Sequence, residues 1–223
     1  MASRAETRKE ERRQAIVAVA RCAFFRGGYG GTTMSAIAAE LGGSKATLWA
    51  YFRHKEELFA AVIDDLVDRY GEALNRPIPI ESEPEVTLRL LAADFMKTLL
   101  QPDIIALQRL VTGEAGRFPE LGRMFYERGP QRALGHLSDW FARLMAQGFL
   151  VRSDPDLAAR HFVALCQSGG FQLSMWGVEP VPSLSSAITD MEYAIRTFLR
   201  GFATHPGAEP DLTNGVQRPD QAA

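Results

Sequence analysis

The chain has few of the features that mark secreted, membrane-spanning or metal-dependent proteins. Its 223 residues include two cysteines, Cys22 and Cys166, far apart and inside helical patterns. Two buried free thiols in a reducing cytosol are therefore expected, rather than a disulfide or a metal site. No apolar run approaches the ~18 residues that a membrane span requires. The N-terminal segment MASRAETRKEERRQ is charged and lacks the apolar stretch of a signal peptide. These absences favour a cytoplasmic protein with no membrane partner.

Signals for catalysis and for β-structure are also missing. No nucleophile–base set, no phosphate-cradling glycine loop and no His/Cys/carboxylate set at metal spacing occurs. No strand-like alternation of convincing length is present, whereas apolar residues recur at helical period along most of the chain. The sequence therefore predicts an all-α protein with no cofactor and no metal, and an enzyme or small-molecule carrier is the least favoured reading.

Charge is unevenly distributed along the chain. Residues 1–60 hold ten Lys/Arg and six Asp/Glu, a balance of +4, and the remainder has a balance of −6. A basic N-terminal part attracts nucleic acid and an acidic body repels it. Two interpretations remain open for one basic group near the N-terminus, a solvated helix face or an arm that contacts phosphate: Arg4, Arg8, Lys9, Arg12 and Arg13.

The stretch 32–52, TTMSAIAAELGGSKATLWAYF, predicts two short helices joined by a tight turn. Apolar residues recur on one face of the first helix, at Met34, Ile37, Ala38 and Leu41. Gly42 and Gly43 supply the turn, and Ser44 is a suitable N-cap for the second helix. The second helix should bury Leu48 and Phe52 and present polar side chains elsewhere. This arrangement is typical of a helix-turn-helix that binds DNA.

The remaining pattern predicts a longer helical body. A first helix from about Thr7 should end at Gly27-Gly28, and a helix over 55–75 should follow the helix-turn-helix. The segment 77–84, PIPIESEP, is the clearest linker because it holds three prolines in eight positions. Further helices are predicted over 86–100, 104–117, 119–128, 131–147, 155–173 and 185–202. The tail 205–223 contains Pro and Gly and little apolar content, and should be disordered.

Linked positions resemble the N-terminal signature of TetR/AcrR-type transcriptional regulators. The resemblance covers roughly residues 12–62 and rests on Gly28-Tyr29, Gly31-Thr32-Thr33, Ile37-Ala38, Leu41-Gly42, Ser44-Lys45-Ala46-Thr47-Leu48, Tyr51-Phe52 and Lys55-Glu56-Glu57-Leu58. The segment 107–164 is similar to the C-terminal half of the AefR-like subgroup, through Glu114, Arg117-Phe118-Pro119-Glu120-Leu121, Phe125-Tyr126-Glu127 and Arg132. Gly43 and Trp49 depart from the family's usual residues.

The resemblance implies an all-α homodimer with about nine helices per chain. It implies a three-helix helix-turn-helix DNA-binding domain over residues 1–55, a larger helical ligand-binding and dimerisation domain over 56–204, and the tail over 205–223. The double-stranded DNA partner would be a palindromic operator. By position, the DNA-binding residues would be Thr33, Ser44, Lys45, Ala46, Thr47, Trp49, Tyr51 and Lys55.

The aromatic and polar residues of the larger domain have two readings. Such a set is usually core, but the family's ligand cavity makes it a source of pocket candidates: Phe95, Leu99, Arg109, Leu110, Phe118, Phe125, Trp140, Gln167, Phe171 and Trp176. The last helices could close the chain's own core. Their broad apolar stripe and small residues also fit a dimer interface, formed by Phe162, Leu165, Gly169, Ile188, Met191, Ile195, Phe198 and Phe202.

Function follows from the same resemblance. The favoured reading is a repressor released from its operator by a small lipophilic inducer. An activator, or a regulator that responds to no ligand, has the same fold and stays open as an alternative.

Overall fold

The computed structural model describes residues 4–42, 45–72, 74, 78 and 83–204. These residues form eleven α-helices and no strand; one isolated antiparallel bridge joins Leu150 to Ala203. The helices are α1 (Arg4–Gly31), α2 (Met34–Glu40), α3 (Lys45–Tyr51), α4 (Lys55–Tyr70), α5 (Pro84–Leu99), α6 (Pro102–Glu114), α7 (Pro119–Arg128), α8 (Pro130–Ala146), α9 (Pro155–Gln167), α10 (Gly170–Met175) and α11 (Leu184–Phe202). The all-α prediction is confirmed.

Several predicted boundaries shift in the structure. The first helix begins at Arg4 rather than Thr7, and its break falls as expected at Gly28, whose φ is +71°. Helix α4 ends at Tyr70, before the predicted end at 75, and Gly71 is its C-cap. There the Tyr70 carbonyl accepts a 2.8 Å hydrogen bond from Thr98 Oγ1. A side-chain donor thus satisfies a terminal carbonyl that has no intrahelical partner.

The helix predicted over 155–173 is two helices, α9 and α10. Asp154 caps α9 as its sequence position suggests, and accepts from the amides of Asp156 and Leu157. The interruption falls at Ser168 and Gly169. The Asp190 carboxylate lies beside this glycine and accepts from Gly170 N at 3.1 Å. This break turns the ten helices predicted from periodicity into eleven, whereas the family resemblance implied about nine.

The chain divides into two compact units, residues 1–75 with 98–132, and residues 76–97 with 133–223. In the first, α1 packs against α2, α4 and α6, and α7 packs against α4 and α6. Its centre is a cluster of rings with centroids 5.2–5.8 Å apart: Phe24, Tyr29, Phe59 and Phe118. Burial raises the pKa of the Tyr29 phenol, and the Glu56, Glu120 and Glu114 carboxylates add to the increase.

The second unit is built on α9 and α11, which pack along each other and against α10. Its centre is also aromatic, with ring centroids 4.7–6.0 Å apart: Phe141, Phe162, Phe198 and Phe202. Cys166 is buried there, and desolvation raises the pKa of its thiol to about 12. Cys22 is exposed on α1, so the expectation of two buried thiols was wrong for this residue.

The functional division at residue 55 is not the division into compact units. The first unit contains the helix-turn-helix together with α4, α6 and α7, because those helices pack on α1. The division of labour between residues 1–55 and 56–204 therefore stays a proposal. Most of the linker 77–84 and the whole tail 205–223 lie outside the described residues.

Candidate nucleic-acid interface

Helix α2 is fixed at its start by a side-chain cap and by its buried face. Thr33 is extended and exposed, and its Oγ1 accepts from the amide of Ala36 at 3.1 Å, so Thr33 is the N-cap of this helix. Ile37 and Ala38 are buried. After Leu41, Gly42 takes a φ of +63°, which a residue without Cβ adopts without strain. Gly43 and Ser44 lie outside the described residues, so the predicted Ser44 cap has no structural account.

Helix α3 is anchored by two apolar residues and presents the opposite face. Leu48 and Phe52 are buried, as predicted. The guanidinium of Arg13, on α1, lies 5.5 Å from the Phe52 ring centroid, a cation–π contact that fixes the end of the helix. Four predicted DNA-contacting residues divide by exposure: Lys45, Ala46 and Trp49 are exposed, and Thr47 is half-buried. Trp49 is 39% exposed, so its indole is not part of the core.

Lys55 opens α4 and turns back toward the end of α1. Its Nζ donates to the carbonyl oxygens of Tyr29, at 2.9 Å, and Thr32, at 3.2 Å. The same atom lies 4.1 Å from the Tyr29 ring centroid and 5.9 Å from that of Phe118. The sequence predicts Lys55 as a DNA-binding residue. The structure adds a second role, because the ammonium satisfies carbonyls at the end of α1.

The segment before α2 is also held by a carboxylate of α6. Glu114, the last residue of α6, accepts from the amides of Tyr29 at 2.5 Å and Gly30 at 2.7 Å. Thr32 is buried, and its Oγ1 donates toward the carbonyls of Ala23 and Gly28. The pair Glu114 and Tyr29 is separated by 85 positions, so no local pattern in the sequence reveals it.

A groove of about 450 Å³ opens beside α3. Charged side chains of both signs line it, and one ion pair, Arg128 with Asp64 at 2.6 Å, lies at its wall. The lining includes Tyr51 of the predicted DNA-contacting set and none of the ten predicted pocket residues: Arg13, Tyr51, Phe52, Glu56, Glu57, Ala60, Ala61, Asp64, Met124 and Arg128.

The predicted pocket residues fall on both compact units. Leu99, Arg109, Leu110, Phe118 and Phe125 belong to the first, and Phe95, Trp140, Gln167, Phe171 and Trp176 to the second. Two of them are exposed, Arg109 and Trp176, the latter by 69%, so neither lines an enclosed cavity within its unit. Phe118 belongs to the ring cluster around Tyr29. Leu99, Trp140 and Phe171 are buried, and the remaining four are half-buried.

Burial also divides the predicted dimer-interface set. Phe162, Met191, Ile195 and Phe198 are at most 3% exposed in the single chain. They are covered within their own unit, so they offer little surface to a second copy. Ile188 is 43% exposed, and Leu165, Gly169 and Phe202 are half-buried. Other apolar side chains between residues 176 and 193 are exposed and were not part of the predicted interface set: Trp176, Val178, Val181, Leu184 and Tyr193.

Among the described residues, no group of three His, Cys, Asp or Glu side chains is arranged to hold a metal ion. Within the same ranges, none of the helices combines the length and the apolar character that crossing a membrane requires.

A capped helix, a glycine turn and a second helix anchored by Leu48 and Phe52 define a helix-turn-helix, the class of DNA-binding module in which the second helix enters the major groove. Two family models match the chain. The model of bacterial regulatory proteins of the tetR family matches residues 16–62. The model described as AefR-like transcriptional repressor, C-terminal domain, matches residues 86–204. The chain belongs to the TetR family of transcriptional regulators.

Solved structures agree with this family. The chain is 30% identical to the flavonoid-responsive regulator FrrA, with 89% of this chain and 100% of that chain covered and a TM-score of 0.71. It is 28% identical to a TetR-family regulator from Mesorhizobium loti MAFF303099, with 88% and 99% covered and a TM-score of 0.69. A regulator from Pseudomonas syringae pv. tomato DC3000 is 26% identical, with 86% and 96% covered and a TM-score of 0.72. No curated protein matches the chain.

Proposed function

We propose that this regulator is a cytoplasmic repressor that binds a palindromic DNA operator as a homodimer and is released by a small lipophilic inducer. The observation that carries the DNA-binding part is the geometry of α3. Its buried residues, Leu48 and Phe52, fix the helix, and Lys45, Ala46 and Trp49 face solvent. A helix held in this way can enter a major groove without rearrangement of its supporting core.

The proposed contacts divide by chemistry. Lys45 and Thr47, with Ala46 and Trp49 beside them, would face base edges, where a lysine donates to guanine and a threonine methyl packs on thymine. Thr33, Ser44, Tyr51 and Lys55 would contact phosphates, which position the protein without reading sequence. Lys55 has three N–H donors, of which two go to carbonyls in this structure. The third would be directed to a phosphate.

The inducer is proposed from the family and from the chain's buried aromatic residues. FrrA is described as flavonoid-responsive, which makes a planar aromatic compound the first probe to use. An apolar ligand could reach Trp140 and Phe171 only where the surrounding side chains open to admit it. The remaining candidates in the second compact unit are Phe95, Trp176 and Gln167, and the amide of Gln167 would give an apolar pocket one polar contact.

Release requires that the inducer bind one conformer better than another. The favoured conformer would hold the two α3 helices of the dimer away from the spacing of about 34–36 Å that successive major grooves demand. An activator, or a regulator without a ligand, would use the same DNA contacts. It would differ only in the sign, or the absence, of the effect on transcription.

A binding-site selection from random double-stranded DNA tests this proposal. We expect the selected duplexes to share a palindromic sequence. A reporter placed behind that sequence should fall in output when the protein is expressed. Quercetin as the flavonoid, oleate and ethidium should then be added in turn, and we expect at least one to restore output and to weaken binding in vitro. Selected duplexes that lack a palindromic sequence would contradict the homodimer. An increase in reporter output when the protein is expressed would show that it is an activator and not a repressor.

A further inference from the structure

The turn at the end of α1, which follows the break at Gly28, is a small anion-binding cradle occupied by a carboxylate of the same chain. Glu114 accepts from the consecutive amides of Tyr29 and Gly30, at 2.5 and 2.7 Å. Gly28, with its φ of +71°, reverses the chain just before them. Successive backbone N–H groups in such a turn form a concavity that suits an anion. A neutral amide would fit poorly, since its NH₂ group would face one of the donors.

The absence of side chains on this turn lets the carboxylate enter. A Cβ placed on Gly28 would lie 2.5 Å from Glu114 Oε1. One placed on Gly30 would lie 3.1 Å from Glu114 Oε2 and 3.1 Å from the Phe118 ring. Gly31, the next residue, has open space around its Cβ position. Close approach to Glu114 therefore distinguishes Gly28 and Gly30 from their neighbour.

The carbonyl groups of the same turn are bound by a side chain of α4. Lys55 Nζ donates to the carbonyls of Tyr29 and Thr32, so the amides are held by an anion and the carbonyls by a cation. Thr33, which caps α2, follows directly. The position of this turn consequently sets where α2 starts and how α2 and α3 are oriented on α1.

Helix α6 is tied to α1 at its other end as well. Asp103, in its first turn, forms an ion pair with Arg21 of α1 at 3.1 Å, and the same guanidinium lies 3.6 Å from Asp65 of α4. A helix fastened at both ends can transmit a displacement to α1 without bending. Glu114 is the fastening that lies next to the helix-turn-helix.

We propose that Glu114 is a positioning residue through which α6 sets the orientation of α2 and α3 for DNA binding. This inference rests on the proposed function, because it concerns the geometry in which α3 meets DNA. Its consequence is specific to sequence recognition. Non-specific binding depends on attraction to the phosphate charge and tolerates a misoriented helix. Contacts to base edges require the correct orientation of α3.

The test compares Glu114→Gln with Glu127→Gln, which removes the same charge from an exposed position on α7. For both variants and the wild type, the affinities for the selected duplex and for an unrelated duplex are measured by fluorescence anisotropy. Amide ¹H–¹⁵N spectra report Tyr29 and Gly30. We expect Glu114→Gln to move both amide protons upfield and to weaken specific binding by about tenfold. Non-specific binding should change by less than about twofold. Glu127→Gln should leave the Tyr29 and Gly30 amide resonances and the specific affinity unchanged.

A second pair of variants keeps the test valid where Glu114→Gln unfolds. Gly30→Ala crowds Glu114 and Phe118, and Gly31→Ala does not. Among folded variants, we expect Gly30→Ala to weaken specific binding selectively and Gly31→Ala to behave as wild type. Unfolding midpoints measured alongside separate a loss of folded protein from a loss of orientation.

Three results would overturn the inference. Unchanged amide resonances in Glu114→Gln would show that the contact is absent in solution. Shifted resonances with unchanged specific affinity would show that the contact does not orient α3. A parallel loss of specific and non-specific binding would reduce Glu114 to a stabilising residue. A wild-type protein that enriches no duplex at all would instead contradict the proposed function, and the inference with it.

Discussion

Lys55 and Tyr29 are joined twice. The Lys55 ammonium donates to the Tyr29 carbonyl at 2.9 Å and lies 4.1 Å from the centroid of the Tyr29 ring. The hydrogen bond satisfies a carbonyl at the end of α1, and the ring stabilises the cation. One side chain of α4 therefore fastens the turn that precedes the helix-turn-helix.

Replacement of Lys55 by Met should destabilise the protein. The change leaves the Tyr29 and Thr32 carbonyls without their charged donor, and we expect a loss of about 1–3 kcal/mol in the free energy of unfolding. Urea unfolding followed by circular dichroism measures it. Lys45→Met is the matched control, since Lys45 is exposed, and it should change stability by less than about 0.5 kcal/mol. An equal loss of unfolding free energy in the two variants would contradict the structural role of Lys55.

The same variant tests the proposed phosphate contact. If the third N–H of Lys55 meets a phosphate, Lys55→Met lowers the slope of log affinity against log salt by about 0.9, for all DNA sequences alike. An unchanged slope would leave Lys55 with its structural role only.

Gly28 should be intolerant of a side chain for two reasons. Gly28 and Gly42 both have positive φ, at +71° and +63°. Alanine at Gly42 costs about 1–2 kcal/mol in backbone strain, and alanine at Gly28 costs more, because its ψ of 168° lies in a region that is essentially restricted to glycine. A Cβ at Gly28 also meets Glu114 at 2.5 Å, whereas one at Gly42 meets nothing within 4 Å. Gly28→Ala should therefore lose more stability than Gly42→Ala in thermal unfolding. A smaller loss at Gly28 would contradict the close approach of Glu114.

Two arginines of α1 should differ in their effect on stability. The Arg21 side chain is 17% exposed and lies between Asp65 and Asp103. The Arg26 side chain is 66% exposed and pairs only with Glu40 among the described residues. We expect Arg21→Gln to cost about 1–3 kcal/mol, because the partly buried Asp103 loses its cation and Asp65 keeps only Arg69, and Arg26→Gln at most about 1 kcal/mol. Chemical denaturation of both variants decides the point, and a reversed order would exclude the proposed fastening of α6.

Dimerisation should depend on the exposed face of α11. Ile188 is the most exposed apolar residue of the predicted interface set, at 43%, and a buried carboxylate in its place would be unpaired. We expect Ile188→Glu to shift the protein from dimer to monomer in sedimentation equilibrium. Val86→Glu, a change at another exposed apolar position, should leave the dimer intact. A dimer that survives Ile188→Glu would place the interface elsewhere.

Local chemistry in the sequence predicted the helix-turn-helix well. The cap at Thr33, the positive φ at Gly42 and the burial of Leu48 and Phe52 each follow from a few adjacent residues. The all-α fold class follows from the helical periodicity of apolar residues in the same way. The family signature adds support, because it requires particular residue types at many positions of the helix-turn-helix. Patterns of this length encode which face of a helix is apolar.

Those patterns do not encode which neighbour covers the apolar face. Ile195 and Phe198 lie on a stripe broad enough for a dimer interface, yet they are buried within their own unit. Periodicity likewise could not show that Cys22 is exposed or that the chain breaks at Gly169. The contact of Glu114 with Tyr29 was equally out of reach, since it depends on how α6 packs on α1.

The central claim is that α3 reads DNA sequence, and the Lys45→Ala, Thr47→Ala double variant tests it most directly. Its affinities for the selected duplex and for an unrelated duplex are compared with those of a Lys97→Ala, Thr112→Ala control, which removes the same side chains from exposed positions on α5 and α6. We predict that the ratio of specific to non-specific affinity falls by at least about tenfold in the α3 variant and is unchanged in the control. An α3 variant that retains the wild-type ratio would contradict the assignment of α3 as the recognition helix.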